Sequence, residues 1–120
     1  MYKILLADDE PNILLSLEFL MRKNGYNVFI ARNGSEAMEI INRDKPQLVV
    51  LDIMMPDIDG YQICTHIKSS KELSDCKVVF LSAKAKESDI KKGLEIGADA
   101  YLTKPFSTRV LMQKISELLK

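Results

Sequence analysis

Five short apolar runs punctuate this chain, at Ile4 to Ala7, Val28 to Ile30, Leu48 to Leu51, Val78 to Leu81 and Ala100 to Leu102. Each run is continuous rather than alternating, which suits a strand covered on both faces, as in a parallel sheet. The intervals carry helical spacing. Ile13, Leu17, Leu20 and Met21 mark the first helix; Ala37, Ile40 and Ile41 the second; Ile63, Cys64 and Ile67 the third. Ile90 with Leu94, and Leu111 with Ile115 and Leu118, mark the last two. Pro11 suits a first helical turn, Asn33 with Glu36 reads as a capping box, and Ser107 can cap the final helix. Five strands in strict alternation with five helices predict an α/β fold, with a doubly wound parallel sheet and right-handed crossovers.

A chain of 120 residues fits one domain spanning 1–120, with roughly two-thirds of its unfolded surface buried on folding. Lys plus Arg and Asp plus Glu both number 17. The resulting zero net charge argues against binding nucleic acid or an anionic membrane through a bulk positive field. The zero is an average: residues 1–60 carry 10 acids and 6 bases, and residues 61–120 carry 7 and 11. Cys64 and Cys76 form neither a CxxC pair nor a disulfide framework, so a reducing cytosol is the expected setting. No apolar run reaches the roughly 18 to 20 residues of a membrane span, and Asp8, Asp9 and Glu10 interrupt a signal-peptide reading. A cytoplasmic protein is expected.

Open parallel sheets bind ligands beyond the carboxyl ends of their strands. The residues at those ends are Asp8, Asp9 and Glu10, then Asp52, Ser82 and Lys104. Carboxylates about 4 Å apart repel by on the order of 4 kcal/mol at an effective dielectric near 20. A hard divalent cation offsets such repulsion, and Mg²⁺ favours one or two carboxylates with waters and phosphate oxygens. Metal plus phosphoryl group is therefore the expected occupant. Asp52 is the candidate nucleophile, because a carboxylate can form an acyl phosphate while fixed positive charge stabilises the transferring group. Lys104 supplies that charge. The Ser82 hydroxyl and the Ala83 backbone N–H can donate to phosphoryl oxygens.

Four motifs occur in order at these strand ends: Ala7-Asp8-Asp9-Glu10; Leu51-Asp52-Ile53-Met54-Met55-Pro56-Asp57 with Gly60; Leu81-Ser82-Ala83; and Gly97-Ala98-Asp99-Ala100-Tyr101-Leu102 running into Thr103-Lys104-Pro105-Phe106. Together they resemble the receiver domain of two-component response regulators over residues 2 to 119. The resemblance implies a flavodoxin-like (βα)5 fold of strand order 2-1-3-4-5. It implies that Asp52 is the phosphoacceptor, that Asp9, Asp52 and the Met54 carbonyl bind Mg²⁺ directly, with Mn²⁺ as a substitute, and that Asp8 acts through water. Ser82 and Tyr101 are then the switch residues, Lys104 the phosphoryl-binding lysine, and the Lys104–Pro105 peptide cis.

The implied partner is a sensor histidine kinase or a histidine phosphotransfer protein. Such a receiver is not an enzyme acting on other molecules and catalyses only its own phosphotransfer and dephosphorylation. The implied output surface is the face of the fourth helix, fifth strand and fifth helix, bearing Lys91, Lys92, Glu95, Asp99 and Arg109. That face can form a homodimer or control a fused output domain absent from this chain; no direct contact with nucleic acid or membrane is expected of the receiver. A haloacid-dehalogenase-type phosphatase also uses an aspartyl phosphate, but it needs a second Asp two residues after the nucleophile, where this chain has Met54. A flavin-binding protein is disfavoured, because three acids would repel the cofactor phosphate. His66 is read as a solvated helical residue, and Gly93 and Gly97 as packing positions.

Overall fold

A computed structural model describes residues 1–120. The strands β1 (Lys3–Ala7), β2 (Asn27–Ala31), β3 (Leu48–Asp52), β4 (Lys77–Ser82) and β5 (Ala100–Thr103) coincide with the five apolar runs. They alternate with α1 (Pro11–Lys23), α2 (Gly34–Asp44), α3 (Gly60–Ser69), α4 (Glu87–Ile96) and α5 (Thr108–Leu118). The sheet order is β2-β1-β3-β4-β5 and every pairing is parallel. This is the expected flavodoxin-like order.

Alternate side chains of each strand point to opposite faces, so the sheet separates two apolar layers. One contains Leu5, Val49, Leu51, Val78 and Phe80 against Ala37 and Ile41 of α2 and Ile63, Cys64 and Ile67 of α3. The other contains Ile4, Leu6, Val50, Val79 and Leu81 against Leu14, Leu17 and Met21 of α1 and Leu111 and Ile115 of α5. Two-sided burial is why the strands read as unbroken apolar runs.

Helix starts follow local chemistry. Pro11 occupies the first turn of α1, where its missing N–H costs nothing. The Asn33 side chain accepts from Glu36 N at 2.9 Å, while the Glu36 carboxylate reaches back to Arg32 N rather than to Asn33. Ser107 caps α5 through Val110 N at 3.2 Å. Asp59 and Gln62 form a reciprocal capping box on α3.

The expected apolar face of α4 is corrected. Leu94 is 47% exposed and Ile90 is only half-buried, whereas Gly93 is buried against the sheet. A Cβ on Gly93 would lie 3.0 Å from Tyr101 and 3.1 Å from Phe80. The helix therefore meets the aromatic layer with its backbone, and its apolar pair is turned outward. Gly97 ends α4 at φ +122°, a conformation that favours glycine.

Candidate functional site

The carboxyl ends of β1 and β3 lie side by side, because Ala7 pairs with Leu51 in register. That places Asp8 next to Asp52. Asp52 ends β3 and Ser82 ends β4, both buried. Lys104 follows β5, and its N–H donates to the Ser82 carbonyl at 2.8 Å. Strand order thus brings residues 8, 52, 82 and 104 to one edge.

The Lys104 ammonium is shared by three carboxylates: Glu10 Oε1 at 2.8 Å, Asp8 Oδ2 at 3.1 Å and Asp52 Oδ2 at 3.5 Å. Burial pulls the Lys104 pKa down, but these anions outweigh it and hold the group at about 12. Asp52 moves the other way. Burial, reinforced by the nearby Asp8 and Asp9 charges, outweighs the Met54 N–H bond and the Lys104 attraction and raises its carboxyl to about 6. Asp8 is also raised, first by burial.

Carboxylate oxygens of Asp8, Asp9, Glu10 and Asp52 lie within 4.8 Å of one another. Asp8 Oδ2 is buried and makes no aligned hydrogen bond, despite its ion-pair contact with Lys104. A buried anionic oxygen without a hydrogen-bond partner is costly. Hard oxygen donors crowded around such an atom fit Mg²⁺ well. Asp9 is exposed at the rim, where it is open to a hydrated ion. The backbone of Met54 enters the site because its N–H donates to Asp52 Oδ1 at 3.1 Å. Its side chain is 56% exposed.

An open cleft of about 360 Å³ adjoins the acids, lined by Asp9, Met54, Met55, Pro56, Tyr61 and Lys84 among others. A larger cleft, about 670 Å³, lies along the outer side of α4, remote from this chemistry. It is lined by the outward Ile90 and Leu94 together with Lys91 and Glu95.

A family model described as the response regulator receiver domain matches residues 4–116. The chain belongs to that family. Among solved structures, the receiver is similar to the receiver domain of the Francisella response regulator 1452, at 33% identity and TM-score 0.90, over 98% of this chain and 96% of that one. It resembles the BeF3-activated receiver domain of Klebsiella pneumoniae RstA at 29% identity and TM-score 0.90, over 98% of each chain. A CheY-like receiver domain protein from Methanospirillum hungatei JF-1 is 30% identical with TM-score 0.92, covering 99% of this chain and 94% of that one.

In this receiver, the side chains of Ser82 and Tyr101 lie beside the same loop. Ser82 Oγ accepts from Lys84 N at 3.0 Å. Tyr101 packs edge-on against Phe80, with ring centroids 5.9 Å apart, and its hydroxyl reaches the Lys84 carbonyl. Its half-buried ring thus faces inward. The Lys104–Pro105 peptide is cis, as the resemblance implies.

Tyr61 has no counterpart in the sequence reading. Its ring meets Phe80 edge-on at 5.7 Å, its hydroxyl donates to the Asp89 carbonyl of α4 at 3.2 Å, and Lys92 Nζ sits 4.4 Å from its centroid. A cation over an aromatic face is attractive, so Lys92 is drawn toward the receiver's own interior. Asp99 is also engaged within the chain, with Lys68 Nζ at 3.1 Å and Val78 N at 2.8 Å. The expected charged face therefore loses Asp99 to an internal pair, while Lys91 and Glu95 stay exposed 3.9 Å apart. His66 lies on α3, partly exposed, and pairs with Asn42 at 2.9 Å at the surface, in keeping with its reading as a solvated helical residue.

Proposed function

We propose that this receiver is switched by transfer of a phosphoryl group from a partner's phosphohistidine to Asp52. The observation that carries the reading is the convergence of Lys104 on buried Asp52 amid a crowded acid cluster. The Asp52 carboxylate forms the new O–P bond as the P–N bond to imidazole breaks, and the imidazole leaves with that electron pair. Lys104, already held by Glu10, Asp8 and Asp52, is positioned to follow negative charge onto the phosphoryl oxygens. Water later cleaves the acyl phosphate and returns free Asp52.

Asp9, Asp52 and the Met54 carbonyl are the residues that would hold Mg²⁺ or Mn²⁺ directly, with Asp8 through water; the cation would neutralise charge developing on the transferring group. Ser82 and the Ala83 N–H are the proposed donors to the bound phosphoryl group. Drawing Ser82 Oγ toward that group would release its bond from Lys84 N and loosen the loop whose Lys84 carbonyl the inward Tyr101 hydroxyl already grips. The β4–α4 loop would then be reset, and with it the face of α4, β5 and α5. That face is the proposed contact for a homodimer or a fused output domain. This signalling role belongs in the cytoplasm, where the kinase or phosphotransfer partner would meet it.

A phosphodonor reaching Asp52 would pass close to α1, which starts at Pro11 directly after the acid triplet. Leu15 and Phe19 lie one turn apart on that helix and are each 70% exposed, offering an apolar stripe to a helical donor.

The test is incubation with acetyl phosphate and Mg²⁺, read by intact mass. Wild type should gain one phosphoryl group, stable to acid and labile to base, and Asp52→Asn should gain none. An equal adduct on Asp52→Asn would refute the acceptor assignment.

A further inference from the structure

The segment between Asp52 and Gly60 contains the Met54 carbonyl, and its two ends are well fixed. At one end, Met54 N bonds to Asp52 Oδ1; at the other, Gly60 N bonds to the Ile53 carbonyl at 2.9 Å. The middle is held from outside. The Asp57 carboxylate accepts from Gly34 N at 2.8 Å, from Ser35 N at 2.9 Å and from Ser35 Oγ at 2.6 Å. These are first-turn donors of α2, which its own helix cannot satisfy. Asn33 takes only the next one, Glu36 N. The Ser35 and Gly34 bonds hold the Asp57 carboxyl well below the usual carboxylate range.

Steric fit reinforces the tie. The Ile58 carbonyl and Cβ press against Gly34 so closely that a Cβ there would collide with both. Asp57 is three residues from Met54, and three residues span at most about 10 Å. A carboxylate locked onto α2 therefore restricts where the Met54 carbonyl can lie.

We propose that Asp57 is a positioning residue for the cation site: by locking the β3–α3 loop onto the start of α2, it places the Met54 carbonyl for the metal. This rests on the reading of that site given above. The tie also works in reverse, because coupling between two sites is reciprocal. Cation binding is then felt at the first turn of α2, on the side of the sheet away from α1 and α5.

The experiment is a Mg²⁺ titration of the full chain followed by amide NMR. In wild type, the Gly34 and Ser35 resonances should move with the same midpoint as that of Asp9. Asp57→Ala should weaken Mg²⁺ binding about tenfold, equivalent to about 1.4 kcal/mol, and abolish the Gly34 and Ser35 shifts. Asp57→Asn keeps one acceptor oxygen, so it should fold and show a partial loss, which tests the idea if the alanine variant does not fold. Ser107→Ala removes a helix cap elsewhere and should leave Mg²⁺ affinity unchanged, separating positioning from general destabilisation.

Unaltered affinity in a folded Asp57 variant, or α2 amides indifferent to Mg²⁺ in wild type, would overturn the role of Asp57 alone. A wild type that binds no Mg²⁺ would overturn the reading of the site itself.

Discussion

The Tyr101 hydroxyl donates a 2.7 Å hydrogen bond to the backbone carbonyl of Lys84, while Lys84 N donates to Ser82 Oγ. One loop residue is thus held by both proposed switch side chains. Tyr101→Phe should keep the edge contact with Phe80 and lose only the hydroxyl bond, at about 1 kcal/mol. Chemical denaturation measures that loss. Hydrogen exchange should show faster opening of residues 83–86 with little change in α1. Unchanged exchange there would mean that Tyr101 does not hold the loop.

Metal-free stability should fall as pH rises from about 4 to about 6. The Asp52 carboxyl sits at about 6 in the fold against an ordinary value of 3.8, so within that window the native state holds a proton that the unfolded chain has released. Stability falls with pH wherever the native state binds more protons. Its contribution is full below the unfolded value and gone above the folded one, and Asp8, also raised, acts in the same direction. Asp52→Asn should flatten this slope and exceed wild type in stability above pH 6. Urea midpoints taken at several pH values decide it; a parallel slope in the variant counts against the assignment.

Mg²⁺ should raise the melting temperature by relieving repulsion among the acids. Ligand at about a hundredfold excess over its Kd adds about 2.7 kcal/mol, which for a domain of this size is on the order of 10 °C. Asp9→Ala should lose most of that gain, as differential scanning fluorimetry with and without chelator would show.

Both thiols should be inert in the native protein. Burial pushes Cys64 up to about 11 and Cys76 up to about 12, leaving little of the reactive thiolate at pH 8. A disulfide dye should label them only at the rate of unfolding. Prompt labelling of either cysteine would show an opening of the α3–β4 region.

Asp52, Ser82 and Lys104 were legible because each is polar and stands where an apolar run stops. Parallel order alone brings such positions together, so no side-chain detail was needed. Leu94 was misread because periodicity reports an apolar stripe without saying what covers it, and Gly93, carrying no side chain, took the inward place. Asp59 with Gln62 carries a local capping signature as well, Asp three residues before Gln at the start of α3. Asp57 on Ser35 and Lys68 on Asp99 span 22 and 31 residues; no local rule anticipates a partner that only the folded chain supplies. Tyr61 stands in no motif, and its hydroxyl acquires meaning only once the Asp89 carbonyl of α4 lies against it.

Alternation along the strands has one more consequence. Asp52 shares its side of the sheet with Leu48 and Val50, while Ser82 shares the other with Val78 and Phe80. The proposed acceptor and the proposed switch hydroxyl are therefore on opposite sides of a wall of paired backbone, and a message started at Asp52 would reach Ser82 over the rim, through the loops that crown the strands. Evolution could retune such a device by rewriting its crest while leaving the masonry beneath untouched.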